Sequence, residues 1–289
     1  MILNIILIIL SITSSTLITF FTGIYDIWWV DILMVLAIIP IYVALFLIYM
    51  GLLTLFSMTL STKKPIKKVS PFFANITSDT NRLLVALSNV KVIKTGFDKL
   101  PKERALYVSN HISNFDPFIM CSHIKNRPII CVTKPENIGK LLVGPLMYNA
   151  GYIPMDREDM KKQVESINRA SKVVKNNEAS VIIYPEGQRN FDHPDYVLPF
   201  HGGSFKIAFR AKAPIVICSI FGTNKIKNRM FIRRNKVRFD VLKVLYYDDY
   251  KDLQTNDVAK MAEDLINERL KELNKWHIYY TIHYQTIQI

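Results

Sequence analysis

Two long apolar runs open the chain. The first covers residues 1–21 and consists of Ile, Leu, Phe and small polar residues, and the second covers residues 32–60 without a charge. About 20 apolar residues cross the hydrocarbon core of a bilayer as a helix, so each run is long enough. As a helix the second run would measure roughly 43 Å and would have to tilt or protrude. The pattern predicts two membrane-anchoring helices, which either span the bilayer or enter one leaflet as a hairpin.

After these runs, strand-like and helical patterns alternate along the chain. Short runs rich in Val and Ile predict strands at residues 90–95, 105–109, 128–132, 180–184, 215–220 and 237–247. Helices are predicted at residues 73–88, 158–175, 204–211 and 256–273. In the second of these helices, Met160, Val164, Ile167 and Val174 share one face. Such alternation is typical of a layered α/β domain.

The prediction for the whole chain is therefore an α/β fold. We expect a central mixed β-sheet flanked by helices, preceded by an N-terminal two-helix membrane segment. The expected divisions are a membrane-anchoring two-helix segment (residues 1–62), a basic linker and helix (63–89) and the α/β domain (90–289).

Charge is distributed as unevenly as hydrophobicity. All 37 basic residues lie after Thr62, and that part of the chain carries 22 acidic residues. An apolar N-terminal segment followed by a basic domain indicates a protein held at an anionic membrane surface. We expect the lysines at 63, 64, 67 and 68 to hold the site face, which is the face of the domain that carries its functional site, against the lipid. Nucleic acid is the competing partner for such charge, but zinc-finger spacing and aromatic-basic ribonucleoprotein motifs are absent from the sequence, so we expect no nucleic acid.

Three cysteines change this picture little. Cys121, Cys131 and Cys218 are too few and too scattered for a disulfide framework or a zinc site. A reduced domain on the cytoplasmic face of the cell membrane fits this cysteine usage and the lysines that follow the second apolar run.

One candidate for acid-base chemistry follows the second predicted strand. The segment Ser-Asn-His-Ile-Ser-Asn-Phe-Asp-Pro places His111 and Asp116 five residues apart, across a turn. A carboxylate bonded to one ring nitrogen holds the imidazole in one tautomer, and the other nitrogen can then take a proton from a hydroxyl. The alternative is that Asp116 caps a helix with Pro117 at its first position.

Two further segments offer cations for a phosphate group. Tyr-Pro-Glu-Gly-Gln-Arg-Asn follows a predicted strand and places Glu186 and Arg189 on a turn, where a planar guanidinium suits phosphate oxygens. Gly-Tyr-Ile-Pro-Met-Asp-Arg places Arg157 just before a predicted helix, whose N-terminus adds partial positive charge. The alternatives are a solvated Glu-Arg turn and an Arg157 paired with Asp156.

In order and spacing these segments resemble the glycerolipid acyltransferase family, specifically the 1-acylglycerol-3-phosphate (lysophosphatidic acid) acyltransferases. That family shows Asn-His followed by four residues and Asp, then Gly…Asp-Arg, then Pro-Glu-Gly-x-Arg, then a block ending Pro-Ile-Val. The matching residues here are Asn110, His111, Asp116, Gly151, Asp156, Arg157, Pro185, Glu186, Gly187, Arg189, Pro214, Ile215 and Val216. The resemblance extends over about residues 90–220.

The resemblance implies a role for each matching residue. His111 is similar to the family's general base and Asp116 to its orienting partner. Arg157, Glu186, Gly187 and Arg189 are similar to its glycerol-phosphate site, with Lys134 near it. The implied reaction moves an acyl group from acyl-CoA or acyl-carrier protein to lysophosphatidic acid, with no cofactor and no metal.

Several departures from the family pattern bear on the acceptor. Gln188 and Asn190 stand where Thr and Ser are usual, and His201 stands where Lys is frequent. The same chemistry on glycerol-3-phosphate or another lysolipid therefore stays open. So do a non-catalytic membrane adaptor built on this fold and a hydrolase that uses the same pair on water.

Overall fold

The apolar runs form two paired helices. The structure is a computed structural model that describes residues 2–22, 28–66, 68–125, 128–140, 143–226 and 234–286. Helix α1 (Ile2–Thr22) packs antiparallel to α2 (Trp28–Met58), with the Ser15 hydroxyl on the Met34 carbonyl at 2.7 Å and the Tyr42 hydroxyl on the Asn4 side chain at 2.6 Å. Both helices are long and apolar enough to cross a membrane. Most of their large side chains are exposed, an arrangement that water disfavours.

A single mixed sheet forms the centre of the domain. Its strands are β1 (Val90–Thr95), β2 (Leu106–Ser109), β3 (Ile129–Thr133), β4 (Ile153–Pro154), β5 (Ser180–Ile183), β6 (Ile215–Phe221) and β7 (Asn235–Leu245). The order is β1-β7-β6-β2-β5-β3-β4, and each neighbouring pair is parallel except β6 and β7. Strands β2 to β6 therefore all end at one edge, which we call the carboxyl edge, and β1 and β7 begin there. The opposite edge is the amino edge.

Helices cover the sheet. They are α3 (Pro71–Leu87), α4 (Asp116–His123), α5 (Pro135–Ile138), α6 (Gly144–Asn149), α7 (Met160–Lys175), α8 (Lys206–Ala211), α9 (Tyr247–Tyr250) and α10 (Thr255–Thr286). Every residue of β2 and β5 is buried, as expected for central parallel strands covered on both faces. Their continuous apolar runs made these strands recognisable in the sequence.

The predicted α/β architecture is confirmed, and the structure adds β4 and several short helices and extends the last helix to Thr286. Two of the predicted elements also differ locally. The last predicted strand begins earlier, at Asn235, and ends at Leu245, because the chain then turns into α9. On α7, Ile167 and Val174 are buried as the pattern suggests, whereas Met160 is 73% exposed and Val164 46%. Both exposed side chains lie in the first turns of α7, which border an open cleft instead of packing against the sheet.

Helix α3 joins the apolar pair to the domain. The hydroxyls of Tyr49 and Thr80 hydrogen-bond at 2.7 Å, and the rings of Phe56 and Phe73 stack at 6.1 Å. These two contacts show that α3 lies antiparallel to the second half of α2. The first half of α2 consequently extends beyond the C-terminal end of α3, which leads into β1 at the carboxyl edge.

The basic linker lies at the other edge of the sheet. The Val69 N–H donates to Glu178 at 2.9 Å, and Glu178 stands two residues before β5 begins. Lys68 is next to this contact and therefore at the amino edge, whereas Lys67 lies outside the described residues. For Lys68, the expectation that it holds the site face against lipid is therefore wrong, and for the other linker lysines it stays a prediction.

Candidate active site

His111 and Asp116 meet at the carboxyl edge of β2. The His111 Nδ1 lies 2.8 Å from the Asp116 Oδ2. The same oxygen accepts the N–H groups of Ile112 and Ser113 at 2.8 Å each, and Oδ1 accepts the Thr223 hydroxyl at 2.5 Å. The carboxylate is fully buried. Four donors hold it in one orientation, and it in turn holds the imidazole ring.

The helix-cap alternative does not describe Asp116. The residue in the cap position of α4 is Phe115, and no side chain caps this helix. Asp116 is the first helical residue, and its oxygens bind the loop before the helix and Thr223. The side chain therefore organises the His111 loop rather than the start of α4.

Neighbouring strands fix the backbone and ring of His111. The Asn110 side chain exchanges two hydrogen bonds of 2.8 Å with the backbone of Ile220 on β6. The Asn190 N–H donates to the His111 carbonyl at 2.8 Å. On the β5 side, the Tyr184 ring stacks on the imidazole at 4.1 Å. These contacts leave the imidazole little rotational freedom.

Glu186 lies beneath the His111 loop. One carboxylate oxygen accepts the His111 N–H at 2.6 Å, and the other accepts the Leu198 N–H at 3.0 Å. The side chain is 3% exposed. Burial raises the pKa of Glu186 to about 7, although the two N–H donors favour the ionised form. Its contacts tie two loops together beside the residues that the resemblance assigns to a glycerol-phosphate site.

Arg157, Gly187 and Arg189 come together beside this loop. Gly187 has a φ of +73°, which favours glycine, and a β-carbon there would lie 3.9 Å from Arg157 Nη1. Burial, and then the nearby charge of Arg189, lower the pKa of Arg157. Arg189 donates to the Asn114 side chain and lies over the Phe191 ring at 4.8 Å. Arg157 is exposed and Arg189 is half-buried. Two adjacent guanidinium groups of this kind make a favourable place for an anion.

A cleft of about 330 Å³ starts at Tyr184, the ring stacked on His111. One part of its wall is apolar and includes Val132, Met155, Met160, Val164, Ile167 and Ile183. The rest is polar and includes Arg157, His201, Lys206 and Arg210. This combination suits a molecule with an acyl chain and a phosphate group.

Lys134 stands apart from the other predicted site residues. It follows β3 at the carboxyl edge and is exposed. Its ammonium group makes no hydrogen bond or ion pair within the described residues, although its carbonyl accepts the Asn137 N–H at 3.1 Å. The structure thus brings His111, Asp116, Glu186, Gly187, Arg157 and Arg189 into one neighbourhood and leaves Lys134 at its margin.

Two residues of this neighbourhood were missed in the sequence. Thr223 follows β6, 107 positions after Asp116, and no local pattern connects them. Tyr184 was recognised only as the end of the predicted strand at 180–184, although its ring supports His111. Across the described residues, His, Cys, Asp and Glu form no group that could hold a metal ion.

Known proteins resemble this chain over much of its α/β domain. Residues 91–221 match the family model described as Acyltransferase. The 1-acyl-sn-glycerol-3-phosphate acyltransferase of Cocos nucifera is 28% identical over 198 residues, which cover 68% of this chain and 63% of that protein. The protein of the same name from Haemophilus influenzae is 27% identical over 183 residues, covering 62% and 73%. The chain thus spans a little under two thirds of the plant relative.

A solved structure shares the fold. The 1-acyl-sn-glycerophosphate (LPA) acyltransferase PlsC from Thermotoga maritima superposes with a TM-score of 0.52 at 20% identity, covering 78% of this chain and 97% of that one. The matched family segment runs from β1 to the end of β6 and contains the His111 loop, Arg157 and the Glu186 turn. Residues 91–221 of this chain are therefore similar to the acyltransferase family, and the whole domain shares the fold of one of its solved structures.

Proposed function

We propose that this protein is a membrane-attached O-acyltransferase that moves a fatty acyl group from acyl-CoA or acyl-carrier protein to the free hydroxyl of lysophosphatidic acid, giving phosphatidic acid. The observation that carries the proposal is the His111–Asp116 pair, in which a buried carboxylate with four donors holds the imidazole at 2.8 Å. The names of the curated relatives support this choice of acceptor.

In the proposed reaction His111 acts as the general base. Nδ1 is engaged by Asp116, so Nε2 takes the proton from the acceptor hydroxyl. The hydroxyl oxygen attacks the thioester carbonyl and a tetrahedral oxyanion forms. When it collapses, the carbon–sulfur bond breaks, and the imidazolium returns its proton to the leaving thiolate. Asp116 stabilises the positive ring between these two transfers.

The backbone N–H groups of His111, Ile112 and Ser113 are already engaged and do not serve the oxyanion. The N–H of His111 donates to Glu186, and those of Ile112 and Ser113 donate to Asp116. Gly203 lines the cleft, and we assign its N–H as the oxyanion donor. Glu186 is a positioning residue in this proposal, because its carboxylate binds the N–H groups of His111 and Leu198 and so sets the path of the His111 loop.

The acceptor phosphate is assigned to the two guanidinium groups. Arg157 and Arg189 lie close enough for their charges to oppose each other, and an anion between them relieves that repulsion. Gly187 allows this approach because its turn has no side chain. Lys134 contributes positive charge from the margin of the same edge. The apolar wall of the cleft then receives an acyl chain.

The apolar pair is assigned as the membrane anchor. It extends past α3 on the carboxyl edge, so the far end of the pair and His111 lie toward the same side. About 14 residues of α2 project beyond α3, which measures roughly 21 Å as a helix against a hydrocarbon core of about 30 Å. We propose a hairpin that enters one leaflet of the cell membrane from the cytoplasmic face. In this arrangement residues 1–62 anchor, 63–89 connect and 90–289 carry the chemistry.

The test is acyl transfer by the purified full chain. A panel of labelled acceptors, comprising lysophosphatidic acid, glycerol-3-phosphate and other lysolipids, is offered with acyl-CoA and with acyl-carrier protein. We expect lysophosphatidic acid to be the preferred acceptor and His111→Ala to lose roughly 10²–10⁴-fold in turnover while remaining folded. Transfer to none of these acceptors would refute the proposal, and acyl release to water alone would identify a hydrolase.

A further inference from the structure

We propose that a cluster of four cations at the start of β1 and β7 binds anionic lipid headgroups and is the electrostatic contact between this domain and the bilayer. The cluster consists of Lys91, Arg234, Lys236 and Arg238, and we call it the β1/β7 basic cluster. It lies outside the site described above. The inference rests on the proposed attachment of α1 and α2 to a membrane.

Strand register brings these residues together. Lys91 and Lys236 are direct partners in the parallel β1–β7 ladder, so their side chains point to the same face of the sheet. Arg238 lies two residues further along that face and is the ladder partner of Phe221 on β6. Since β7 is two strands from β2, the cluster begins about 10 Å to one side of the His111 strand.

The side chains of these cations have no counter-charge within the described residues. Lys91, Arg234 and Lys236 are exposed and Arg238 is half-exposed. None of the four side chains makes a hydrogen bond or an ion pair with a described residue. The acidic group on the same face, Asp240, is 1% exposed and is bound to Arg269 at 2.8 Å. The sequence from 225 to 238 contains seven basic residues and no acidic one. An anion from outside the chain is the charge partner that such a surface favours.

The position of the cluster favours a lipid surface. It lies at the carboxyl edge, the side toward which the α1–α2 pair extends beyond α3. Residues 1–62 contain no basic residue, so the hairpin itself offers anionic headgroups no cation. Lys68 of the linker is at the amino edge, next to the Val69–Glu178 contact. The β1/β7 basic cluster therefore supplies, at the membrane side, the charge that the anchor lacks, and an extended exposed surface of this kind suits a layer of headgroups.

A consequence is that His111 lies between two positive regions of the same edge. On the β5–β4 side are Arg189 and Arg157, assigned to the acceptor phosphate, and on the β7–β1 side is the basic cluster. Binding of the β1/β7 basic cluster to lipid headgroups would hold the carboxyl edge of the sheet against the membrane surface. An acceptor lipid could then reach His111 while its headgroup stays close to the depth of the other headgroups.

Lysine labelling of the full chain tests the contact directly. The protein is reconstituted in vesicles of phosphatidylcholine with and without phosphatidylglycerol, and a water-soluble amine reagent is quantified at each lysine by mass spectrometry. We expect labelling of Lys91 and Lys236 to slow at least about threefold when anionic lipid is present, because charge attraction acts within a Debye length of the surface. Lys243, seven residues from Lys236 on the same strand, and Lys175 on the amino-edge side are controls that should not change.

A charge-matched pair of variants supplies the second arm. Lys91→Gln with Arg234→Gln and Lys236→Gln should keep transfer to detergent-dispersed acceptor but lose the stimulation by anionic lipid in vesicles. A control with Lys172→Gln, Lys175→Gln and Lys243→Gln removes the same charge and should keep that stimulation.

Two results would overturn the inference. One is equal labelling of Lys91 and Lys236 in the two kinds of vesicle. The other is that the variant with Lys91→Gln, Arg234→Gln and Lys236→Gln loses only transfer from acyl-carrier protein and responds to anionic lipid as the wild type does. That result would make the cluster a docking surface for the acidic carrier protein. Protection of Lys91 and Lys236 in a chain without acyl transfer would leave the surface assignment intact and refute the proposed reaction instead.

Discussion

Removing the Thr223 hydroxyl should weaken the catalytic pair without touching either member of it. This hydroxyl donates to Oδ1 of Asp116 at 2.5 Å, and both side chains are fully buried. It is the one hydrogen bond that Oδ1 accepts among the described residues. Thr223→Val keeps nearly the same side-chain shape, so Oδ1 would be left buried without a donor and without space for water.

The magnitude follows from what is lost and what remains. Hydrogen bonds to charged groups contribute about 1.5–3 kcal/mol, so the free energy of unfolding should fall by about 2–3 kcal/mol. Oδ2 keeps its contacts with the His111 ring and with the N–H groups of Ile112 and Ser113. The imidazole is therefore still held, and kcat should fall only about tenfold, which corresponds to about 1.4 kcal/mol. Complete loss of the base should cost far more.

The assay is steady-state thiol release from acyl-CoA at saturating lysophosphatidic acid, with thermal unfolding measured on the same preparations. Thr223→Ser is the matched control, because it restores the donor while removing only a methyl group. We expect Thr223→Ser to recover most of kcat. Equal kcat in Thr223→Val and wild type would refute the reasoning, and a stability loss without a kcat change would reduce Thr223 to a structural contact.

Three further predictions follow from the same geometry. Asp116→Asn should remain folded but lose roughly 10²–10⁴-fold in kcat, since the amide cannot support a positive His111 ring; near-normal turnover would exclude that role. Arg189→Ala should raise KM for the acceptor much more than KM for the donor, and Arg189→Lys should recover only part, because a lysine is a point charge rather than a fork; an effect on the donor alone would remove Arg189 from the phosphate site. The pKa of Glu186 is raised from 4.5 to about 7, so its protonated form stabilises the fold at low pH, and this contribution of about 3 kcal/mol should be lost as the pH rises from 4.5 through 7. Glu186→Gln should abolish that part of the pH dependence of thermal unfolding, and an unchanged profile would contradict the assignment.

Much of the fold could be predicted because its signals are local. The buried strands β2 and β5 are continuous apolar runs bounded by turn residues, and α7 shows helical spacing. The His111–Asp116 pair was also predictable, because five residues and one turn separate its members. Where local pattern failed, a tertiary neighbour had changed the environment, because Met160 and Val164 border a cleft instead of packing on the sheet.

The sequence by itself determined the apolar N-terminal segment, the basic domain and the order of strands and motifs, because each depends on composition or on spacing within about 20 residues. Only the tertiary structure decided toward which edge of the sheet the apolar pair extends, and it placed Lys68 of the linker at the opposite edge. It also joined Thr223 to Asp116 across 107 positions and Lys91 to Lys236 across two strands of one ladder. Register between distant strands is set by packing of the whole core, and no single segment of the chain contains that information.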